Sequence, residues 1–278
     1  MTHALRALVV IGVPLLAGCA SRGGGDGTGT GAAASAQFPT TSAAQDPAGI
    51  ARQLTWAHQV IRDENAGAAQ VERAGQLQQL ATLELVKRPE LREPVLALLD
   101  GDTRRAVEAN VEAGSQLRAM VTPRETLPKW RIVAPAPADE LLRYYREAER
   151  EFGVPWPYLA AIHLVETRMG RIRGTSTAGA QGPMQFMPAT WARFGRGDVN
   201  DNRDAIFAAA RYLRASGAPG DMPRALFEYN NSDLYVRAVD LYARNMLADG
   251  RAYYGYYHWR VYYVTTGGDV LLDTGYGE

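Results

Sequence analysis

From Ile50 to Val121 the apolar positions recur at spacings of three and four: Ile50, Leu54 and Ile61, then Leu77, Leu80 and Leu83, then Val107, Val111 and Met120. That period turns one side of a helix towards a core, and three or four helices fit the stretch. Lys87-Arg88-Pro89-Glu90 interrupts it, because proline lacks the N–H that an interior helical residue donates, and Asp100-Gly101-Asp102 reads as a turn. Pro123, Pro128, Pro135 and Pro137 then replace the pattern and predict a connector. Helical spacing resumes at Asp139, a good N-cap, with Leu141, Tyr145, Ala148 and Phe152 on one face and Gly153 as the stop. Pro155 suits a first helical turn, and Leu159, Ile162, Glu166 and Met169 follow as an apolar stripe that contains one carboxylate. Ser232 is expected to cap a later helix with Tyr235, Val239, Tyr242 and Met246 on one face, ending at Gly250. From Arg251 onward, Tyr253, Tyr254, Tyr256, Tyr257, Trp259, Tyr262, Tyr263 and Val264, then Thr266-Gly267-Gly268-Asp269 and Val270-Leu271-Leu272, read as strand, tight turn, strand.

The N-terminus follows different rules. His3 and Arg6 precede an apolar run over residues 7–16 that ends in small residues, the layout of a secretory signal. Leu16-Ala17-Gly18-Cys19 looks like the bacterial lipobox, which implies that Cys19 is lipidated and becomes the first mature residue. Cys19 is the only cysteine in the chain, so no intramolecular disulfide is available. Residues 20–48 are mostly Gly, Ala, Ser and Thr, too poor in large apolar side chains to offset the entropy of ordering, and read as a flexible tether. No later stretch approaches the roughly 20 apolar residues that cross a bilayer as a helix. With 30 basic and 30 acidic residues the formal net charge is zero, which argues against an electrostatic grip on nucleic acid or an anionic membrane face. The expected layout is a lipoprotein signal peptide at 1–18, lipidated Cys19 and linker at 19–48, a helical accessory region at 49–122, a Pro-rich connector at 123–138, a mainly α catalytic domain at 139–250 and an aromatic-rich extension at 251–278.

Glu166 carries the chemistry in this reading. A carboxylate on the buried face of a helix costs several kcal/mol unless it is paired or protonated, and partial burial is the means of keeping a carboxyl protonated near neutral pH. The residues after it run Glu166-Thr167-Arg168-Met169-Gly170-Arg171, and then Gly179-Ala180-Gln181-Gly182-Pro183-Met184-Gln185-Phe186-Met187-Pro188; Asp204-Ala205-Ile206, Ala210-x-Tyr212-Leu213 and Tyr229-Asn230 follow. These blocks, in this order over residues 139–247, resemble the lytic murein transglycosylases, particularly the membrane-bound B-type branch.

The resemblance implies a mainly α, lysozyme-like catalytic domain, accompanied by an N-terminal helical accessory domain and a short C-terminal β-hairpin-like segment. It implies cleavage of the β-1,4 bond between N-acetylmuramic acid and N-acetylglucosamine, with closure of a 1,6-anhydro ring. Glu166 would serve as the single catalytic acid and base, because the nucleophile is the substrate's own C6 hydroxyl. Ser176, Met184, Gln185, Phe186, Met187, Tyr229 and Asn230 are the implied substrate contacts, with no cofactor and no metal. Peptidoglycan strands, the membrane through the N-terminal lipid, and cell-wall synthesis or division proteins are the implied partners, in an exported protein facing the periplasm or cell wall. A goose-lysozyme-type muramidase and a non-catalytic wall-binding lipoprotein are the competing readings.

Some residues in these blocks have a plain structural explanation. Gln185 could bond nearby backbone, Met184, Phe186 and Met187 could be core, and His163, one turn before Glu166, reads as structural. Glu228, beside Tyr229, stands where relatives more often carry a small or apolar residue; it reads as a solvated side chain, with a second acid as the alternative. The long insertion that B-type relatives carry after the acid is missing here, which predicts a more open groove. Asp198-Val199-Asn200-Asp201-Asn202-Arg203-Asp204 spaces oxygens like a calcium loop, but Arg203 stands where the turn glycine belongs and Ala209 where the bidentate glutamate belongs, so it reads as a polar turn before a helix. The C-terminal aromatics are expected to pack on the catalytic domain, with sugar stacking as a compatible second use.

Overall fold

The computed structural model describes residues 42–278. The signal segment, Cys19 and most of the tether lie outside the described residues. Four helices form the first part: α1 (Pro47–Arg62), α2 (Ala68–Lys87), α3 (Arg92–Leu96) and α4 (Gly101–Ala119). Their ends follow local chemistry. Asp46 and Asp100 accept hydrogen bonds from Gly49 N and Thr103 N, each satisfying a first-turn donor, and Pro89 opens a 3-10 turn where α2 stops.

The second part contains α5 (Ala138–Phe152), α6 (Trp156–Thr167), α7 (Pro188–Phe194), α8 (Asn202–Ala215), α9 (Met222–Tyr229), α10 (Asp233–Ala248) and α11 (Ala252–Tyr257). Gly153 ends α5 in a left-handed conformation. Asp139 falls inside the first turn of α5 instead of capping it, a position where a carboxylate still complements the helix dipole. Strand β1 (Arg131–Ile132) pairs antiparallel with β2 (Ile172–Arg173), joining the Pro-rich connector to the segment after Glu166. Strands β3 (Val261–Thr265) and β4 (Gly268–Leu272) form an antiparallel hairpin, with Thr265 opposite Gly268 at the turn.

Two expectations change. The stripe anticipated on α6 is in fact a helix buried all round: every residue from Pro157 to Thr167 is buried, with α5, α8, α10 and α11 packed against it. The tyrosines at 253–257 form helix α11 instead of the first strand. Their spacing of three turns Tyr253 and Tyr256 into the core together, and the hairpin begins only at Val261.

The first four helices share a core with the rest. Leu80 and Leu83 of α2 and Ala113 and Leu117 of α4 belong to the same buried cluster as Leu159, Ile162, Tyr242 and Trp259. Helices α2 and α11 approach through glycines: a Cβ on Gly75 would lie 2.5 Å from the Gly255 carbonyl oxygen, and one on Gly255 would lie 2.7 Å from Ile61. Polar groups of the C-terminal segment fasten it at several points. The Tyr253 and Tyr257 hydroxyls donate to the Ala138 and Ala136 carbonyls, and Trp259 Nε1 donates to Gln78 on α2. Arg118 of α4 holds the buried Asp269 of β4 at 3.0 Å; burial raises the Asp269 pKa and the guanidinium opposes that rise.

Candidate active site

Helix α6 ends in an unusual turn. Arg168, Met169 and Gly170 all have positive φ, at 54°, 60° and 79°. The two non-glycine residues each cost about 1–2 kcal/mol in this conformation, so the surroundings must over-determine it. Thr167 provides one clamp: its hydroxyl donates to the Pro183 carbonyl at 2.6 Å and accepts from Gly170 N at 3.1 Å. Arg168 provides another, donating through Nη1 to the Leu164 carbonyl at 2.7 Å. Gly170 must be glycine for space as well as conformation, since an added Cβ would meet Asn202 Oδ1 at 3.0 Å and His163 Nε2 at 3.2 Å.

Glu166 stands two residues before this turn, 9% exposed. The Tyr235 hydroxyl donates to its Oε1 at 2.8 Å. Tyr235 is fully buried in the first turn of α10, and that turn is started by Ser232, whose Oγ accepts from Tyr235 N. A carboxyl oxygen at the end of one helix is thus fixed by a phenol at the start of another, 69 residues later.

The Gly-Ala-Gln-Gly-Pro-Met-Gln-Phe segment closes on the same helix end. Gln181 and Phe186 exchange backbone hydrogen bonds at 2.9 and 2.8 Å, enclosing a tight loop in which Gly182 and Gln185 have positive φ. Gly182 lies so close to the Val199 carbonyl that a Cβ would collide with it. Two buried hydroxyls hold the loop from below, Thr167 on the Pro183 carbonyl and Tyr229 on the Met184 carbonyl at 2.7 Å.

The other residues singled out from the sequence divide into groups. Met184 and Phe186 are core side chains, with Phe186 edge-on to Trp191 and Tyr229, so they support the loop from inside; Met187 is half-buried. Gln185 is buried and its Nε2 donates to the Gly182 carbonyl at 3.0 Å. Asn230 is buried at the end of α9. Ser176 braces its own loop, its Oγ accepting from Ala180 N at 3.0 Å. Tyr229 bonds to Met184, and the phenol on Glu166 belongs to Tyr235, which the sequence reading had placed only on a core face.

His163 does not pair with Glu166. Its Nδ1 shares a 2.6 Å hydrogen bond with the hydroxyl of Tyr145, and complete burial lowers its pKa to about 3, so the ring is neutral. Glu228 is exposed. In the Asp198–Asp204 segment the carboxylates serve local backbone: Asp198 accepts from Asn200 N, Asp201 from Asp204 N and Asp204 from Asp198 N. Among the described residues no group of three or more His, Cys, Asp or Glu could hold a metal ion.

Residues 143–247 match the family model of the Transglycosylase SLT domain. Over 74 residues the chain is 35% identical to the membrane-bound lytic murein transglycosylase F of Thiobacillus denitrificans; the aligned stretch covers 27% of this chain and 16% of that relative. No solved structure matches. The match spans most of α5, then α6, the 181–186 loop, α7, α8 and α9 and nearly all of α10, so the mainly α architecture contains a region similar to that domain, with a short antiparallel strand pair at the C-terminus.

Proposed function

We propose that this protein cleaves the β-1,4 bond between N-acetylmuramic acid and N-acetylglucosamine in peptidoglycan strands, leaving a 1,6-anhydro-muramoyl end, with Glu166 as its single acid and base. The observation that carries the reading is the buried Glu166 carboxyl at the end of α6, with Oε1 fixed by Tyr235. In the first step the carboxylic acid gives its proton to the glycosidic oxygen as the C1–O bond breaks. In the second the carboxylate takes the proton from the muramoyl C6 hydroxyl, whose oxygen bonds to C1. The nucleophile is part of the substrate, so its effective concentration is high and no second carboxylate is needed to activate water.

Tyr235 helps to set the carboxyl plane through its hydrogen bond to Oε1. Gln185, Met187, Ser176 and Asn230 are the proposed sugar contacts, while Met184, Phe186 and Tyr229 shape the loop that presents them. Cys19 is proposed as the lipid attachment, with residues 20–48 as a tether that lets the folded body reach an immobile polymer. No helix among the described residues is long and apolar enough to cross a membrane. Replacing Glu166 by Gln tests the assignment: release of soluble muropeptides from isolated peptidoglycan should stop, and unchanged turnover would refute it.

A further inference from the structure

Arg168 is 1% exposed, and its guanidinium is only partly used. Nη1 donates to the Leu164 carbonyl at the end of α6, while Nε and Nη2 have no hydrogen-bond partner among the described residues. Among the described residues no carboxylate forms an ion pair with it. Burial lowers its pKa, and the one group that acts on it through charge is Tyr242 of α10. Tyr242 is itself fully buried, and its hydroxyl likewise has no hydrogen-bond partner among the described residues.

A guanidinium stays protonated in a protein interior, and a buried cation without a counter-charge costs several kcal/mol. The C-terminal dipole of α6 offers about half an elementary charge, and one carbonyl occupies one of five N–H groups. Nε and Nη2 form the edge of the guanidinium that grips anions with two parallel N–H bonds. Tyr242 adds a third donor: burial pushes its pKa up to about 12, so it keeps its proton. Water would satisfy the donors and leave the charge uncompensated.

We propose that Arg168 Nε and Nη2, together with the Tyr242 hydroxyl, form an internal site for a small monovalent anion of chloride size, enclosed between α6 and α10. The complete burial of both side chains restricts the occupant to a monatomic or similarly small ion. The site is independent of the glycosidase reading, since it compensates a charge in the fold and takes no part in bond breaking.

Crystals of the folded chain grown in bromide test it directly. An anomalous peak within hydrogen-bonding distance of Arg168 Nε and Nη2 is expected; a water, or no density, at that point would overturn the proposal. In solution, melting at fixed ionic strength should be about 5 °C higher in saturating sodium chloride than in sodium gluconate, whose anion is too large to enter. Arg168→Met should lose that difference, and equal melting of the unaltered protein in the two salts would contradict the site. Should Arg168→Met fail to fold, the bromide experiment on the unaltered protein decides.

Discussion

The end of α6 and the contact between α2 and α11 are both tightly packed, yet they are built on opposite terms. Where α2 meets α11, Gly75 and Gly255 let two backbones approach, and the neighbouring Gln78 and Trp259 complete each other's hydrogen bonds. Local geometry is ordinary and every group serves packing. At the end of α6 two non-glycine residues take left-handed conformations, and a carboxyl, a guanidinium and an imidazole are buried within six residues of one another. Such a concentration of locally unfavourable choices persists when the site has a task and the surroundings supply the stability, here through Thr167, Pro183 and Tyr235. The comparison separates a region whose loss would unfold the protein from one whose chemistry can be removed with the fold intact.

The largest expected effect lies on the functional side. Glu166→Gln should lower turnover by at least about a thousandfold, a loss of roughly 4 kcal/mol in transition-state stabilisation. Its melting temperature should hold or rise, since an amide is cheaper to bury than an ionisable group. A parallel loss of stability and activity would mean that Glu166 serves the core, and the contrast between the two regions would collapse.

On the packing side, Gly75→Val should do the opposite. The new side chain meets the Gly255 backbone and His258, and overpacking of this kind costs about 1–3 kcal/mol. Thermal unfolding should show the loss, while turnover per folded molecule stays near normal. Retained stability would show that α11 can shift away from α2.

Acid should act through buried imidazoles in both regions. The folded-state pKa of His163 is about 3, below the unfolded value of 6.5, so between these values the unfolded chain binds a proton that the folded chain does not. Stability from His163 is therefore complete above pH 6.5 and declines as pH falls towards 3, by about 2 kcal/mol between pH 7 and 5. His58 and His258, each lowered to about 4 chiefly by burial, act in the same direction. Urea unfolding at the two pH values measures the sum, and His163→Gln should reduce it; an identical midpoint in the unaltered protein would contradict a neutral buried His163.

Tyr235→Phe is the finest probe. It removes one hydrogen bond to Glu166 and nothing else in volume, so stability should fall by about 1 kcal/mol or less. Turnover should drop about tenfold with little change in KM, because the group acts on the carboxyl and not on substrate affinity. A pure KM effect would move Tyr235 from orienting the acid to binding the sugar.

Much of the packing side was legible in the sequence. The helical periods over 50–121, the stop at Gly153 and the cap at Ser232 are local signals, and local backbone chemistry decides them, whereas Asp100-Gly101-Asp102, expected as a turn, is the capped start of α4. The aromatic run at 253–257 misled, because tyrosine suits strands and helices alike and only the packing on α2 and the hydroxyl bonds to the start of α5 choose between them. Burial of Glu166 was legible from its apolar neighbours, but its partner was not. Tyr235 is apolar in period and polar at one atom, so the stripe it shares with Val239 and Tyr242 conceals a hydroxyl that reaches another helix. Tyr229, expected as a substrate contact, holds the loop under the site through the Met184 carbonyl. The glycine contact between α2 and α11 left no trace in either segment, since a glycine's need for space depends on what the fold brings to it.

The most direct test of a single carboxyl acting with the substrate's own hydroxyl is the mass of the products. Mass spectrometry of muropeptides released by the protein should show muramoyl ends lighter by one water, in the 1,6-anhydro form, and their yield should vanish in Glu166→Gln. Reducing muramoyl ends without the anhydro ring would show that water is the nucleophile, and the account given for Glu166 would be wrong.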